Sequence, residues 1–166
     1  MTLRTATPDD APAVQRVARA SWHAAHDQVL GADAVDDLID QWYDVAGLRE
    51  SIERDDRPMF VAVADGDLVG FASGGPTEGG PADAVVSRIY VHPDRWGEGH
   101  GTALLERLFE ALREADSESV WLAVLADNEV GRSFYEARGF AVHEERTVEL
   151  ADQEVEDVVM VRSLDE

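Results

Sequence analysis

The 166-residue sequence contains no cysteine, which removes disulfides, thiolate metal sites and a cysteine nucleophile from consideration. It contains no lysine either: all 14 of its basic residues are arginine, set against 35 acidic ones, for a formal net charge of −21. A basic face for a phosphate backbone is therefore missing, and nucleic acid is not expected as a partner. No run approaches the roughly 18 apolar residues of a membrane span, and Met1-Thr2-Leu3-Arg4 lacks the apolar stretch of a secretory signal. The expectation is a cytoplasmic protein with no membrane partner. The five histidines show no HxH or HExxH spacing, so no metal is expected.

So large an acidic surplus repels itself at low ionic strength, whereas at about 1 M salt a Debye length of about 3 Å screens the repulsion. In acidity and lack of lysine the chain resembles haloarchaeal cytoplasmic proteins, and adaptation to molar salt is the expectation. The length suits one domain with a core that needs no covalent staples.

Hydrophobic periodicity divides the chain into alternating elements. Leu3 to Ala6 is strand-like, and Thr7-Pro8-Asp9-Asp10 then offers a cap, a proline and acids for a helix start. Val14, Val17, Ala18, Ser21, Trp22 and Ala25 form one helical face that ends at Gly31. A second helical stretch runs through Val35, Leu38, Ile39 and Trp42, continues less clearly through Leu48 and Ile52, and stops before Pro58. Met59 to Ala64 and Leu68 to Ser73 predict a hairpin about Asp65-Gly66-Asp67. The run from Gly74 to Pro81 predicts a mobile loop. After it come a strand over Ala84 to Val91, a helix presenting Leu104, Leu105, Leu108, Ala111 and Leu112, and a strand over Val120 to Leu125. A short helix then runs to Arg138, with Gly139 as its stop. Strands over Phe140 to Leu150 and Glu154 to Ser163 close the chain. This order implies an α/β (α+β) domain, with a mixed sheet and helices on both faces.

Chemistry concentrates in two segments. In the first, Ile89-Tyr90-Val91-His92-Pro93 runs into Asp94-Arg95-Trp96-Gly97-Glu98-Gly99-His100-Gly101-Thr102, a strand, a glycine turn and a helix start. Alternate glycines let the backbone bend and turn several amides toward one ligand, and the helix start adds its positive end, which together make a phosphate cradle. The spacing is neither GxxxxGK[ST] nor GxGxxG, because position 102 is threonine. The second segment is Asn128-Glu129-Val130-Gly131-Arg132-Ser133-Phe134-Tyr135-Glu136-Ala137-Arg138-Gly139-Phe140.

Together these segments resemble the GNAT superfamily of acyl-CoA-dependent N-acetyltransferases, and the element order extends the resemblance over nearly the whole chain. It implies a mostly antiparallel sheet of six to seven strands, splayed between the fourth and fifth, with about four helices on both faces. It implies acetyl-CoA as co-substrate, its pantetheine arm along the main chain of Ile89, Tyr90 and Val91. The diphosphate would rest on amides of Gly97, Glu98, Gly99, His100, Gly101 and Thr102. Asn128 matches the family position that reaches the pantetheine, which is equally an N-cap position, and Tyr135 matches the general acid. A core aromatic is the other reading of Tyr135.

The chemistry implied is direct attack of a neutral amine on the thioester, with a main-chain NH stabilising the oxyanion and tyrosine protonating the leaving thiolate. No residue stands out as the base. Glu78 and Asp83 are the nearest carboxylates, with a water relay as the alternative. Trp96 stands where the family commonly has Arg or Gln, and Glu98 puts an anion into a phosphate turn. Analogy places a small-molecule or peptide amine near Trp22, His23, His26 and Trp42, residues that would otherwise be helix-face packing and surface histidines. A homodimer is expected from family habit alone. Two other readings are a non-catalytic acyl-CoA sensor and transfer of a longer acyl group.

Overall fold

The computed structural model of the chain describes residues 1–54 and 57–164. Among them, seven strands form one sheet: β1 (Thr2–Thr5), β2 (Met59–Ala64), β3 (Asp67–Pro76), β4 (Ala84–Val91), β5 (Ser119–Leu125), β6 (Ala141–Leu150) and β7 (Gln153–Ser163). Their order is β1-β2-β3-β4-β5-β7-β6, and every neighbouring pair is antiparallel except β4 and β5. The helices are α1 (Ala11–Leu30), α2 (Ala32–Trp42), α3 (Val45–Glu53), α4 (His100–Glu114) and α5 (Glu129–Ala137). The expected mixed, mostly antiparallel sheet is the one that forms.

Because successive strand residues face opposite sides, the central strands supply two cores. Met59, Val61 and Phe71 lie beneath α1 to α3 with Val14, Val17, Ile39 and Leu48. Phe60, Ala62, Ala72 and Val86 lie beneath α4 with Leu104, Leu105, Leu108 and Phe109. The apolar stripes read from sequence on the first and fourth helices are the faces that the sheet covers.

Two expectations are corrected. The second helical stretch is two helices, because Asp44 accepts a hydrogen bond from the Gly47 amide at 3.0 Å and so caps a new one. The break lets Tyr43 turn inward, where it is buried. The presumed loop begins later than expected: Gly74, Gly75 and Pro76 continue β3 and pair with Val86, Val85 and Ala84. A Cβ at Gly74 would stand 2.2 Å from the Val85 carbonyl oxygen, so glycine here serves a close approach of two backbones within a strand.

The feature that positions the site is the junction of β4 and β5. Only Ala84 with Val120 and Val85 with Trp121 are paired; beyond them the two strands part. The joined end is held by Asp83, whose carboxylate accepts from the amides of Glu118 (3.1 Å) and Ser119 (2.9 Å) and from the Ser119 hydroxyl (3.2 Å). These backbone donors also hold the Asp83 carboxyl below its ordinary pKa.

At the opposite side of the molecule, α1 and α2 are tied by charge. His23 Nδ1 lies 2.6 Å from Asp27 and its Nε2 2.9 Å from Asp36, while Arg19 pairs with Asp36 and Asp40. Asp27, then Asp36, raise the His23 pKa above its ordinary 6.5 against partial desolvation. A folded-state pKa above the unfolded one makes this tie fully stabilising below the ordinary value and removes it as pH rises through the raised one. At low salt, the excess thermal stability of the wild type over His23→Gln should therefore be largest near pH 6 and shrink toward about pH 9. Calorimetric melting of both proteins across that range checks this, and a pH-independent difference would refute it.

Candidate functional site

Where β4 leaves β5, half of its backbone is released. The His92 amide donates to the Val69 carbonyl at 2.8 Å, and Gly70 lies opposite Val91, Phe71 opposite Tyr90. Hydrogen-bonded pairs alternate along an antiparallel ladder. The main chain of Tyr90 is therefore spent on β3, whereas that of Ile89 and Val91 faces the opening. The Val91 carbonyl accepts from the Ser21 hydroxyl and from Trp96 Nε1, both at 2.8 Å. Of the three main-chain positions expected from sequence, the outward-facing ones are thus Ile89 and Val91; Tyr90 contributes its ring.

A cavity of about 410 Å³ follows this opening to the glycine turn. Gly97 and Gly99 have φ of 83° and 89°, a left-handed conformation that favours glycine, and nothing lies within 4 Å of where either Cβ would be. Gly99 is also the N-cap of α4 and supplies no side chain to cap it. The first helical bond runs from the Ala103 amide to the Gly99 carbonyl (3.1 Å), which leaves the first-turn amides of His100, Gly101 and Thr102 without helical partners.

Side chains around the turn settle the charge question that Glu98 raised. Its carboxylate does not line the cavity; it accepts from His100 Nε2 at 3.0 Å and Arg95 Nη1 at 3.4 Å. His100, then Arg95, hold its pKa below the ordinary carboxylate value. The His100 ring is buried and is held from its other nitrogen by Met1 Sδ at 2.9 Å, so His100 offers the cavity its amide. Arg95 also pairs with Asp65 at 3.0 Å. Trp96 is 45% exposed at the cavity mouth.

Arg138 is a cavity residue that the sequence treated only as a helix end. Its Nε donates to Thr102 Oγ1 at 3.0 Å and its Nη1 to the Phe134 carbonyl at 3.1 Å, with the guanidinium 4.1 Å from the Phe134 ring centroid. Thr102 thereby fixes a permanent cation beside the uncapped amides. Its place between the FYE run and Gly139 was the available signal.

A second cavity, about 460 Å³, lies on the α1–α3 side. Trp22, His26, Trp42 and Tyr43 line it, together with Arg88 and Tyr90 from β4. Trp22 stacks edge-on against His26 (4.6 Å) and Trp42 (5.8 Å). Burial pushes His26 down to about 4, so its ring is neutral at pH 7. Tyr90, Asn128 and Tyr135 line both cavities, which therefore meet at these three side chains. Asn128 caps α5 by accepting from the Gly131 amide at 2.9 Å, so its cap role and its cavity position coexist. Tyr135 packs edge-on against Phe134 and Phe140. Burial, then Tyr90, raise its pKa well above 10.

The remaining sequence candidates are not brought here. Glu78 is exposed in the loop after β3, and neither it nor Asp83 lines either cavity. Asp83 lies roughly 26 Å from Val91 along the strand at about 3.3 Å per residue. Its carboxylate is a backbone tie to Glu118 and Ser119. His23 likewise belongs to the α1–α2 charge network.

Known proteins share this fold. The chain is 30% identical over 87 residues to the L-amino acid N-acyltransferase MnaT of Escherichia coli K12, covering 51% of each chain. It is 33% identical over 141 residues to the mycothiol acetyltransferase of Clavibacter sepedonicus, covering 83% of this chain and 42% of that one. It thus spans about half or less of the length of these curated relatives. In fold it matches the PaiA N-acetyltransferase of Thermoplasma acidophilum, solved in complex with coenzyme A, with a TM-score of 0.84 over 98% of this chain and 99% of that one at 24% identity. The ribosomal-protein-S18-alanine N-acetyltransferase of Escherichia coli gives 0.74 over 99% and 94% at 21% identity. Residues 18–140 match the acetyltransferase (GNAT) family, and with three quarters of its length inside that match, the chain belongs to the GNAT family.

Proposed function

We propose that this chain is a single-domain acetyl-CoA-dependent N-acetyltransferase acting on a small-molecule or peptide amine. The observation that carries the reading is the parted β4 and β5, with uncapped amides at one end of the gap and Tyr135 where the two cavities meet. Acetyl-CoA would supply the activated acetyl thioester, and the residues present fit it. The main chain of Ile89 and the amide of Val91 offer a strand edge unpaired with β5 for its two amides. The turn from Gly97 to Thr102 offers amide donors, and Arg138 offers charge for phosphate. The names of the curated relatives support acyl transfer to an amino group.

The work of the side chains follows from where they lie. An amine entering the aromatic cavity reaches Tyr90, Asn128 and Tyr135 at the junction. Its nitrogen lone pair forms the new C–N bond as the C–S bond breaks, and the electron pair departs on sulfur. Tyr135 gives its proton to that sulfur; the nitrogen sheds its surplus proton to water in the cavity, and Tyr135 is reprotonated from solvent. The amides of Ile89 and Val91 are the main-chain donors available to the carbonyl oxygen. Burial keeps Tyr135 protonated at neutral pH. The same desolvation raises the basicity of a thiolate formed beside it, so donor and acceptor are displaced in one direction.

Tyr135→Phe should lower kcat about 100-fold or more and change acetyl-CoA affinity less than about twofold. Steady-state assays and calorimetric titration measure the two. An unchanged kcat would favour the non-catalytic sensor. Acetyl-CoA affinity should also rise as KCl goes from about 0.1 M to molar, because salt screens the long-range repulsion of a −21 chain more than contacts at the cradle. Titrations showing the reverse trend would overturn that account of the charge.

A further inference from the structure

The aromatic cavity carries one charge that nothing in it cancels. Of its lining side chains, His26 is neutral at pH 7, and burial raises the pKa of all three tyrosines, keeping them protonated. Asp157 is closed by Arg146, whose Nε and Nη2 reach its two oxygens at 2.8 and 2.6 Å. Arg88 remains. Its guanidinium stands 4.9 Å over the Tyr43 ring, and its Nη2 reaches only the Trp42 carbonyl at 3.4 Å, beyond the usual range of a strong hydrogen bond. Among the described residues it makes no ion pair, in a chain with 35 acidic residues to draw on.

Position gives this charge its meaning. Arg88 and Tyr90 share a face of β4 and lie about 6–7 Å apart along the strand, and Tyr90 belongs to both cavities. An anion held by Arg88 therefore lies close to the point of transfer. Nearby, Trp22 and His26, only 7% and 4% exposed, set their rings into the wall of the same chamber.

We propose that the acceptor is a free α-amino acid with an aromatic or large apolar side chain, its carboxylate on the Arg88 guanidinium and its side chain against Trp22, Trp42 and Tyr43. The proposal rests on the acetyl-transfer reading above and names the acceptor class for that site. A planar guanidinium suits a carboxylate bidentately. A carboxylate one carbon from the amine suits an anchor that stands two residues from Tyr90 on the same face of β4 and lines the same cavity. A polyamine would set a second ammonium against Arg88, and a peptide amino terminus has no carboxylate within that reach. Desolvation in the aromatic walls favours the neutral, nucleophilic amine, which eases the lack of an evident base.

The test is an acetyl-CoA consumption assay in molar KCl with L-phenylalanine, L-leucine and L-methionine, their C-terminal amides, and spermidine. The free acids should be acetylated with kcat/KM about 10- to 100-fold above the amides. Arg88→Gln should remove that preference by raising KM for the acids at constant kcat, affect the amides at least about 10-fold less, and be partly rescued by Arg88→Lys. Preference for amides or for spermidine would overturn the proposal while leaving the transferase reading intact. An equal effect of Arg88→Gln on acids and amides would overturn it too. Tryptophan fluorescence provides a separate readout: quenching by the free acids and not the amides, without turnover, would support the Arg88 anchor and sink the transfer reading.

Discussion

Two backbone pairings join β4 to β5, Ala84 with Val120 and Val85 with Trp121, and the site exists because there are no more. Main-chain polar groups inside a sheet ordinarily satisfy one another, and leaving them unpaired is costly unless a ligand or water takes the bonds. On β4 the cost falls on the main chain of Ile89 and on the Val91 amide, because Tyr90 keeps its bonds to β3 and the Val91 carbonyl is already served by Ser21 and Trp96. The end at which the strands still pair is pinned by Asp83, which ties the start of β5 to the start of β4.

The second constraint is charge. A chain of net charge −21 that is to receive an anion must keep its own carboxylates out of the cradle, and the turn does this locally. Glu98 is drawn aside by His100 and Arg95, and Arg138 is fixed among the first-turn amides by Thr102. Backbone amides carry much of the donor capacity of the turn, in a chain without lysine. On the other side of the gap the pattern is complementary: a predominantly aromatic chamber, a neutral buried histidine, an acid closed by its own arginine, and Arg88 left over.

Much of the fold was legible because hydrophobic periodicity maps directly onto burial. The stripe of Val14, Val17, Ala18 and Trp22 and that of Leu104, Leu105, Leu108 and Leu112 are the faces buried on the two sides of the sheet. The misreadings came where local composition competes with a long-range contact. Gly74-Gly75-Pro76 has the composition of a loop, yet it is strand because β4 crosses too close for any side chain at Gly74. The second helical stretch kept its apolar period across Tyr43 and Asp44, and only the cap to Gly47 divides it.

What the sequence determined by itself is the glycine turn and its neighbours: the glycine spacing, the capping Asn128 and the presence of Tyr135 are local, and local geometry follows from a few consecutive residues. Only the tertiary structure decided which distant side chains share a cavity. Asp83 and Glu78 were drawn toward the chemistry by their place in the chain and lie elsewhere, while Arg88, Tyr43 and Arg138, unremarkable in sequence, line the cavities. The physical reason is that a site between splayed strands is assembled from both faces of a sheet. Which face a residue meets there depends on register, bulges and strand order, which no short stretch of sequence encodes.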